Sequence, residues 1–265
     1  MVVSGAVTTR PAYSSTFSGK GALLEESVAI LRQIDQGNSL EQVKSMVLVD
    51  DLLGKVTLST RESVWDHVHA RYLADPRLLP LLAQIVARAP DRQTQTLVLF
   101  YELCRSLPLL RDTTIECAYP RYAAGFSAID KGDIQIFFDG IATQHPELAG
   151  WSPQTREKVV SNILTSLRDF GLLEGTQRKQ FIHVYVPLPA FVYVLYRLAG
   201  YGIATAREII DALDWRLFLL EPDDVIGLLE EATTAGHCIF KRRGDILSLD
   251  FTYPSLEACV EALTG

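Results

Sequence analysis

The sequence predicts a mainly α protein in which a helical bundle over residues 17–150 is followed by two winged-helix-like α+β units, at 151–189 and 190–265, with short β-hairpins. Three observations carry this expectation. Apolar residues recur at helical spacing through most of the first 150 positions. That half holds no convincing period-two run. Two later stretches, 65 positions apart, share the order helix, glycine, strand, basic turn, strand.

Residues 1–16 are small, polar and aperiodic, which predicts a flexible arm. From Ala22 to Gln36, Leu24, Val28 and Leu31 mark a helix that Gly37 stops. Ser39 with Gln42, and Ser59 with Glu62, have capping-box spacing and each predicts a new helix start. The second of these helices carries Val64, Trp65, Val68 and Tyr72. Helical segments follow at 76–88, 91–105, 108–122 and 131–143, punctuated by Pro76, Pro90, Pro108 and Gly125. Ser152-Pro153 is a side-chain cap followed by proline at the first helical position. The helix it opens aligns Val159, Ile163, Leu167 and Phe170, and Gly171 ends it. Ile182, Val184 and Val186 then alternate as one arm of a hairpin. In the second copy Leu228-Leu229 corresponds to Ile163-Leu164, Gly236 to Gly171, Arg243 to Arg178, and Leu247, Leu249 and Phe251 to the alternating run.

Hydrophobic residues make up 48% and charged residues 22%, a soluble globular balance. The net charge of −7 argues against a surface given over wholly to nucleic acid or membrane, but leaves room for a local basic patch. Cys104, Cys117, Cys238 and Cys259 form no CxxC pair, which predicts reduced, mostly buried thiols. The N-terminal stretch lacks the pattern of a signal peptide, and the longest apolar run, LPAFVYVLYRLAGYGIA, is interrupted by Arg197. It reads as a core helix, so the expected location is the cytoplasm, with no membrane partner.

Chemical motifs are few. Asp169-Phe170-Gly171 spells the kinase metal-binding triplet, but a glycine-rich loop, a paired lysine and an H-R-D loop are missing. Phe170 instead continues an apolar stripe, and Gly171 sits where a helix end needs a left-handed residue. SGKGALLEES, residues 18–27, lacks phosphate-loop spacing and reads as a glycine-eased lead-in to a helix. His67 and His69 project about 200° apart on a helix and cannot share a metal. His145, His183 and His237 have no ligand partner at useful spacing. No GxSxG elbow or Cys-His pair is present, and Glu25-Glu26 and Asp50-Asp51 read as solvated faces or caps. The expectation is a non-enzyme without catalytic residue, metal or cofactor.

Ser152 to Pro189 is different: five basic residues (Arg156, Lys158, Arg168, Arg178, Lys179) face three acidic ones (Glu157, Asp169, Glu174). Lys158, Ser161, Asn162 and Thr165 form the helix face opposite the apolar stripe, a composition suited to the major groove. Arg178 and Lys179 would meet backbone phosphate from the hairpin tip. Lys241, Arg242 and Arg243 form a second basic tip, although Glu230 and Glu231 make the preceding helix a poor groove reader. Against DNA contact stand a winged helix used only for protein contacts and, more simply, a solvated helix and turn.

FSGKGALLEESVAILRQIDQG, followed by VLVDDLLGKVTLSTRESVWDHVHARYL, resembles the opening of the BrxA family, accessory proteins of bacterial BREX phage-defence systems. The resembling features are Phe17, Gly19 and Gly21, then Glu26, the DDLLGK turn (Asp50 to Lys55), the STRE helix start and Arg71 to Leu73. The resemblance implies an N-terminal bundle similar to the NusB antitermination fold and a non-catalytic DNA-binding role beside other BREX subunits. It supplies no catalytic residue. The combined expectation is weak, salt-sensitive and largely non-specific binding of double-stranded DNA through Arg156, Lys158, Asn162, Thr165, Arg168, Arg178, Lys179, Lys241, Arg242 and Arg243. A scaffold that recruits other defence subunits without binding nucleic acid is the competing expectation. RNA binding ranks third, because no aromatic stacking platform is evident.

Overall fold

The computed structural model describes residues 12–203, 205–244 and 246–265. Its first half is built on helices α1 (Leu24–Asp35), α2 (Leu40–Leu48), α3 (Leu58–Val68), α4 (Leu79–Arg88) and α5 (Arg92–Ser106). The hydrophobic stripe of α1 packs on α4, and α4 in turn on α5. Every residue of α5 from Thr96 to Cys104 is buried. A helix apolar nearly all round belongs at the centre of a core, and α5 occupies that place.

Ser39 caps α2 with the expected capping box. The second expected box is corrected: Thr57, extended, caps α3 through the Thr60 amide, so Ser59 lies inside the helix. Beyond α3 a π turn, His69–Leu73, turns three consecutive side chains inward, Arg71, Tyr72 and Leu73. The helix expected over 108–122 is split into α6 (Pro108–Thr113), a π turn at Thr114–Ala118 and α7 (Tyr119–Ala123). Two causes are local. The Thr113 and Thr114 hydroxyls donate to the carbonyls four residues back, and Pro120 has no amide to continue the ladder.

Strand β1 (Ala128–Ile129) precedes α8 (Lys131–Ile141) and α9 (Pro153–Asp169), which lead to β2 (Leu173–Glu174) and β3 (Lys179–Phe181). The sheet order is β1-β3-β2, all antiparallel, with Ile129 opposite Lys179 and Leu173 opposite Phe181. A two-residue strand carries no period, so β1 is invisible to pattern reading. The alternating run is also corrected. The hairpin strand is Lys179–Phe181, and Ile182, Val184 and Val186 follow it as irregular chain, with Val184 and Val186 buried.

The C-terminal elements are α10 (Leu188–Gly200), α11 (Ala206–Ile210), α12 (Pro222–Thr234), β4 (Cys238–Arg243), β5 (Ile246–Phe251) and α13 (Leu256–Thr264). α10 packs on α5, and α13 returns to cover both α10 and α4. The two glycines aligned in the sequence do the same work. Gly171 (φ +80°) and Gly236 (φ +81°) each close a helix in the left-handed conformation. Each is followed by an amide that bonds five residues back, Leu172 to Leu167 and His237 to Ala232, both at 2.8 Å. All four cysteines are buried as free thiols. No helix among the described residues is long and apolar enough to cross a membrane.

Candidate nucleic-acid interface

Phe170, the middle residue of the Asp-Phe-Gly triplet, is fully buried with its ring 5.1 Å from that of Phe100. Asp169 accepts from the Arg168 guanidinium at 2.7 Å on the surface. The triplet is therefore the end of α9 and its anchor. No group of three or more His, Cys, Asp or Glu side chains among the described residues is placed to hold a metal.

What α9 builds instead is one wall of a cleft of about 600 Å³. Ser161, Thr165 and Arg168 line it from α9, Thr176, Gln177 and Lys179 from the hairpin, and Lys131 and Gly132 from the start of α8. The pairing of β1 with β3 brings these pieces together, because it sets the N-terminus of α8 beside the hairpin. Asp130, the one carboxylate in the lining, caps that helix through the Asp133 amide at 3.1 Å. Beside that carboxylate the lining holds Lys131, Arg168 and Lys179, short hydroxyls and an amide. Lys131 lies 3.4 Å from Glu157 and Arg168 2.7 Å from Asp169, both pairs near the surface.

The ten residues expected from the sequence divide sharply. Thr165, Arg168 and Lys179 line the cleft, and Lys158 and Arg178 are exposed beside it. Arg156 turns back to α8, pairing with Asp139 at 2.6 Å over the Phe138 ring. Asn162 donates to the Phe17 carbonyl at 2.7 Å and faces the N-terminal segment. The sequence puts Lys179 at the hairpin tip, but it is the first residue of β3 and only 7% exposed. Its ammonium donates to the Gly175 carbonyl at 2.7 Å. Burial, then the nearby Arg168 charge, pull it below the usual lysine value. It closes the turn from inside. Likewise Lys241, Arg242 and Arg243 are the last residues of β4, not a tip. They pair with Ser248, Leu247 and Ile246, so Lys241 and Arg243 share one face and Arg242 takes the other.

Lys131, Thr176 and Gln177 escape sequence reasoning. Asp130 and Asp133 carry a capping signal for the start of α8, but only the β1–β3 pairing places that start in the cleft.

The turn itself depends on Gly175. Its φ is +85°, and a Cβ there would press into the Arg178 carbonyl oxygen. Gly175→Ala is expected to cost about 1–3 kcal/mol. At roughly 2–4 °C per kcal/mol, thermal unfolding will register the loss. An unchanged Tm would mean the turn rearranges freely.

The BrxA family model matches residues 11–196. The chain belongs to the BrxA family. Membership makes it a BREX-associated accessory protein, and the match reaches from the described N-terminus into α10, leaving the second hairpin outside it. No functionally curated protein matches the chain. The fold is similar to that in the crystal structure of an uncharacterized protein from Magnetospirillum magneticum. There the identity is 16% and the TM-score 0.59, over 77% of this chain and 98% of that one. This likeness speaks to fold alone.

The BrxA-like features of the sequence are mutual contacts. Lys55 pairs with Glu26 at 2.7 Å, Arg61 with Asp51 at 3.3 Å, and Arg71 donates to the Gly21 carbonyl at 2.7 Å. They hold the bundle and its N-terminal segment together.

Proposed function

We propose that this BrxA protein is a non-catalytic subunit that binds duplex DNA, using α8, α9 and the β2–β3 hairpin as a winged helix. The observation that carries this reading is the cleft where α9, the hairpin and the start of α8 converge, with Arg168 and Lys131 at its surface and a single carboxylate, Asp130, that is engaged in capping α8. In helix-turn-helix proteins the second helix enters the major groove while the first crosses the backbone. α9 would be the groove helix, with Lys158, Ser161 and Thr165 toward the bases. The N-terminus of α8, with Lys131, would meet a phosphate. Arg168 and Arg178 would hold the flanking backbone, and Lys241 and Arg243 would offer a second backbone contact from β4. A cleft walled by cations, hydroxyls and an amide suits backbone recognition better than proton transfer. Other BREX subunits and a cytoplasmic setting complete the proposal.

Because few cations face the cleft, binding should be weak and strongly dependent on salt. The test is fluorescence anisotropy of labelled duplexes of several sequences at about 50 and 200 mM salt. Arg168→Ala with Arg178→Ala should weaken binding to all sequences alike and lower the salt slope by about 0.9 for each phosphate that is no longer neutralised. Parent-like affinity and slope in the double variant would remove both residues from the interface. Absence of binding by the parent at low salt, with co-purification of other defence subunits, would favour a recruiting scaffold.

A further inference from the structure

We infer that the segment Tyr13 to Ala22 is a strut that sets the position of α9 on the bundle, with Arg71 and Asn162 as its positioning residues. The element against which α9 packs most extensively is not a bundle helix but the short 3-10 turn Ser15–Ser18 within this segment. The groove-facing helix is therefore seated on a piece of chain 145 residues away in sequence.

The segment is pinned at both ends and in the middle. At its start the Tyr13 hydroxyl donates to Asp112 at 2.8 Å and its amide to Glu147 at 2.7 Å. The Tyr13 ring stacks on His145 with centroids 3.7 Å apart. In the middle, Phe17 is buried, and its carbonyl accepts from Asn162 of α9. At the far end Arg71, 7% exposed, reaches out of the π turn and donates to the carbonyls of Lys20 at 2.9 Å and Gly21 at 2.7 Å. Its guanidinium also lies 5.5 Å from the centroid of the Phe17 ring.

On the other side of the segment, a Cβ added to Gly21 would sit 3.9 Å from the hydroxyl of Ser166, a fully buried residue of α9. The segment is thus clasped between a bundle cation and α9. A planar guanidinium presents its donors in a rigid fork that spans two carbonyls while its face meets a ring, a geometry that a compact ammonium does not reproduce. The same carbonyls, turned toward Arg71, make the SGKG stretch an acceptor site and not an anion cradle.

The functional half of this inference rests on the proposed DNA reading; the strut itself rests on contacts alone. The test is amide hydrogen exchange of the full chain together with the anisotropy titration, on Arg71→Lys and Asn162→Ala. Asn162→Ala removes one hydrogen bond and keeps the fold testable should Arg71→Lys fold poorly. Amides of residues 17–22 and of α9 should exchange about fivefold faster in Asn162→Ala, and tenfold or more in Arg71→Lys, while α4 keeps its protection. Duplex affinity should fall with the salt slope unchanged, because neither residue meets a phosphate.

Faster exchange in the segment with α9 unaffected would overturn the strut. Faster exchange in both with parental affinity would overturn the positioning role. A parent that binds no duplex would sink the DNA reading, and the exchange data would still decide the strut.

Discussion

Replacing Glu102 with alanine is expected to destabilise the protein by about 3–5 kcal/mol, the cost of stranding a buried charge. Glu102 lies on the central helix α5 and is 3% exposed. Its carboxylate accepts from Arg197 through two bonds, at 2.7 and 3.0 Å, and from the Tyr193 hydroxyl at 2.8 Å. Burial works against the charge of Arg197, but the bonds and attraction from Glu102 outweigh it and hold the guanidinium above its ordinary range. Truncating Glu102 removes the compensation and leaves the cost. Both donors sit on α10, so the change falls where α10 packs on α5. Urea denaturation will measure it. Replacing both charges with apolar residues of similar volume, Glu102→Leu with Arg197→Met, should recover much of the loss. A loss below about 1 kcal/mol in Glu102→Ala would mean that water replaces the carboxylate.

Phe170→Ala should also cost about 3–5 kcal/mol, by deleting a fully buried ring that α9 inserts against Phe100. Asp169→Ala, one residue away on the surface, should change stability by less than about 0.5 kcal/mol. The contrast tests the meaning of the triplet. A helix anchor makes the buried phenylalanine, and not the surface aspartate, the position to which stability is sensitive. Equal and small effects from both would show that the end of α9 frays without penalty.

Much of this architecture is legible before folding because its causes are short-range. A 3.6-residue period, a serine cap before proline and a glycine after an apolar stripe act within one or two turns. They locate α9, its end at Gly171 and the similar end of α12 at Gly236. At the π turn of Thr114–Ala118 the disturbance is also local. At the π turn of His69–Leu73 only the structure shows the result, Arg71 turned inward.

The candidate site is legible in composition and not in arrangement. The excess of cations between residues 152 and 189 is visible, and Arg168, Arg178 and Lys158 stand at or beside the cleft. Lys179, Arg156 and Asn162 belong to the same polar segment, yet each spends its polar atoms holding the protein together. A run of letters cannot say which charge meets solvent and which meets a carbonyl.

Helix positions, glycine stops and the sign of the patch follow from chain-neighbour chemistry, which the order of residues specifies directly. The cleft, the burial of Lys179 and the seating of α9 on Phe17 depend on contacts between residues about 50 to 145 positions apart. Such contacts close only when the hydrophobic core sets the distances, so the tertiary structure alone decided them.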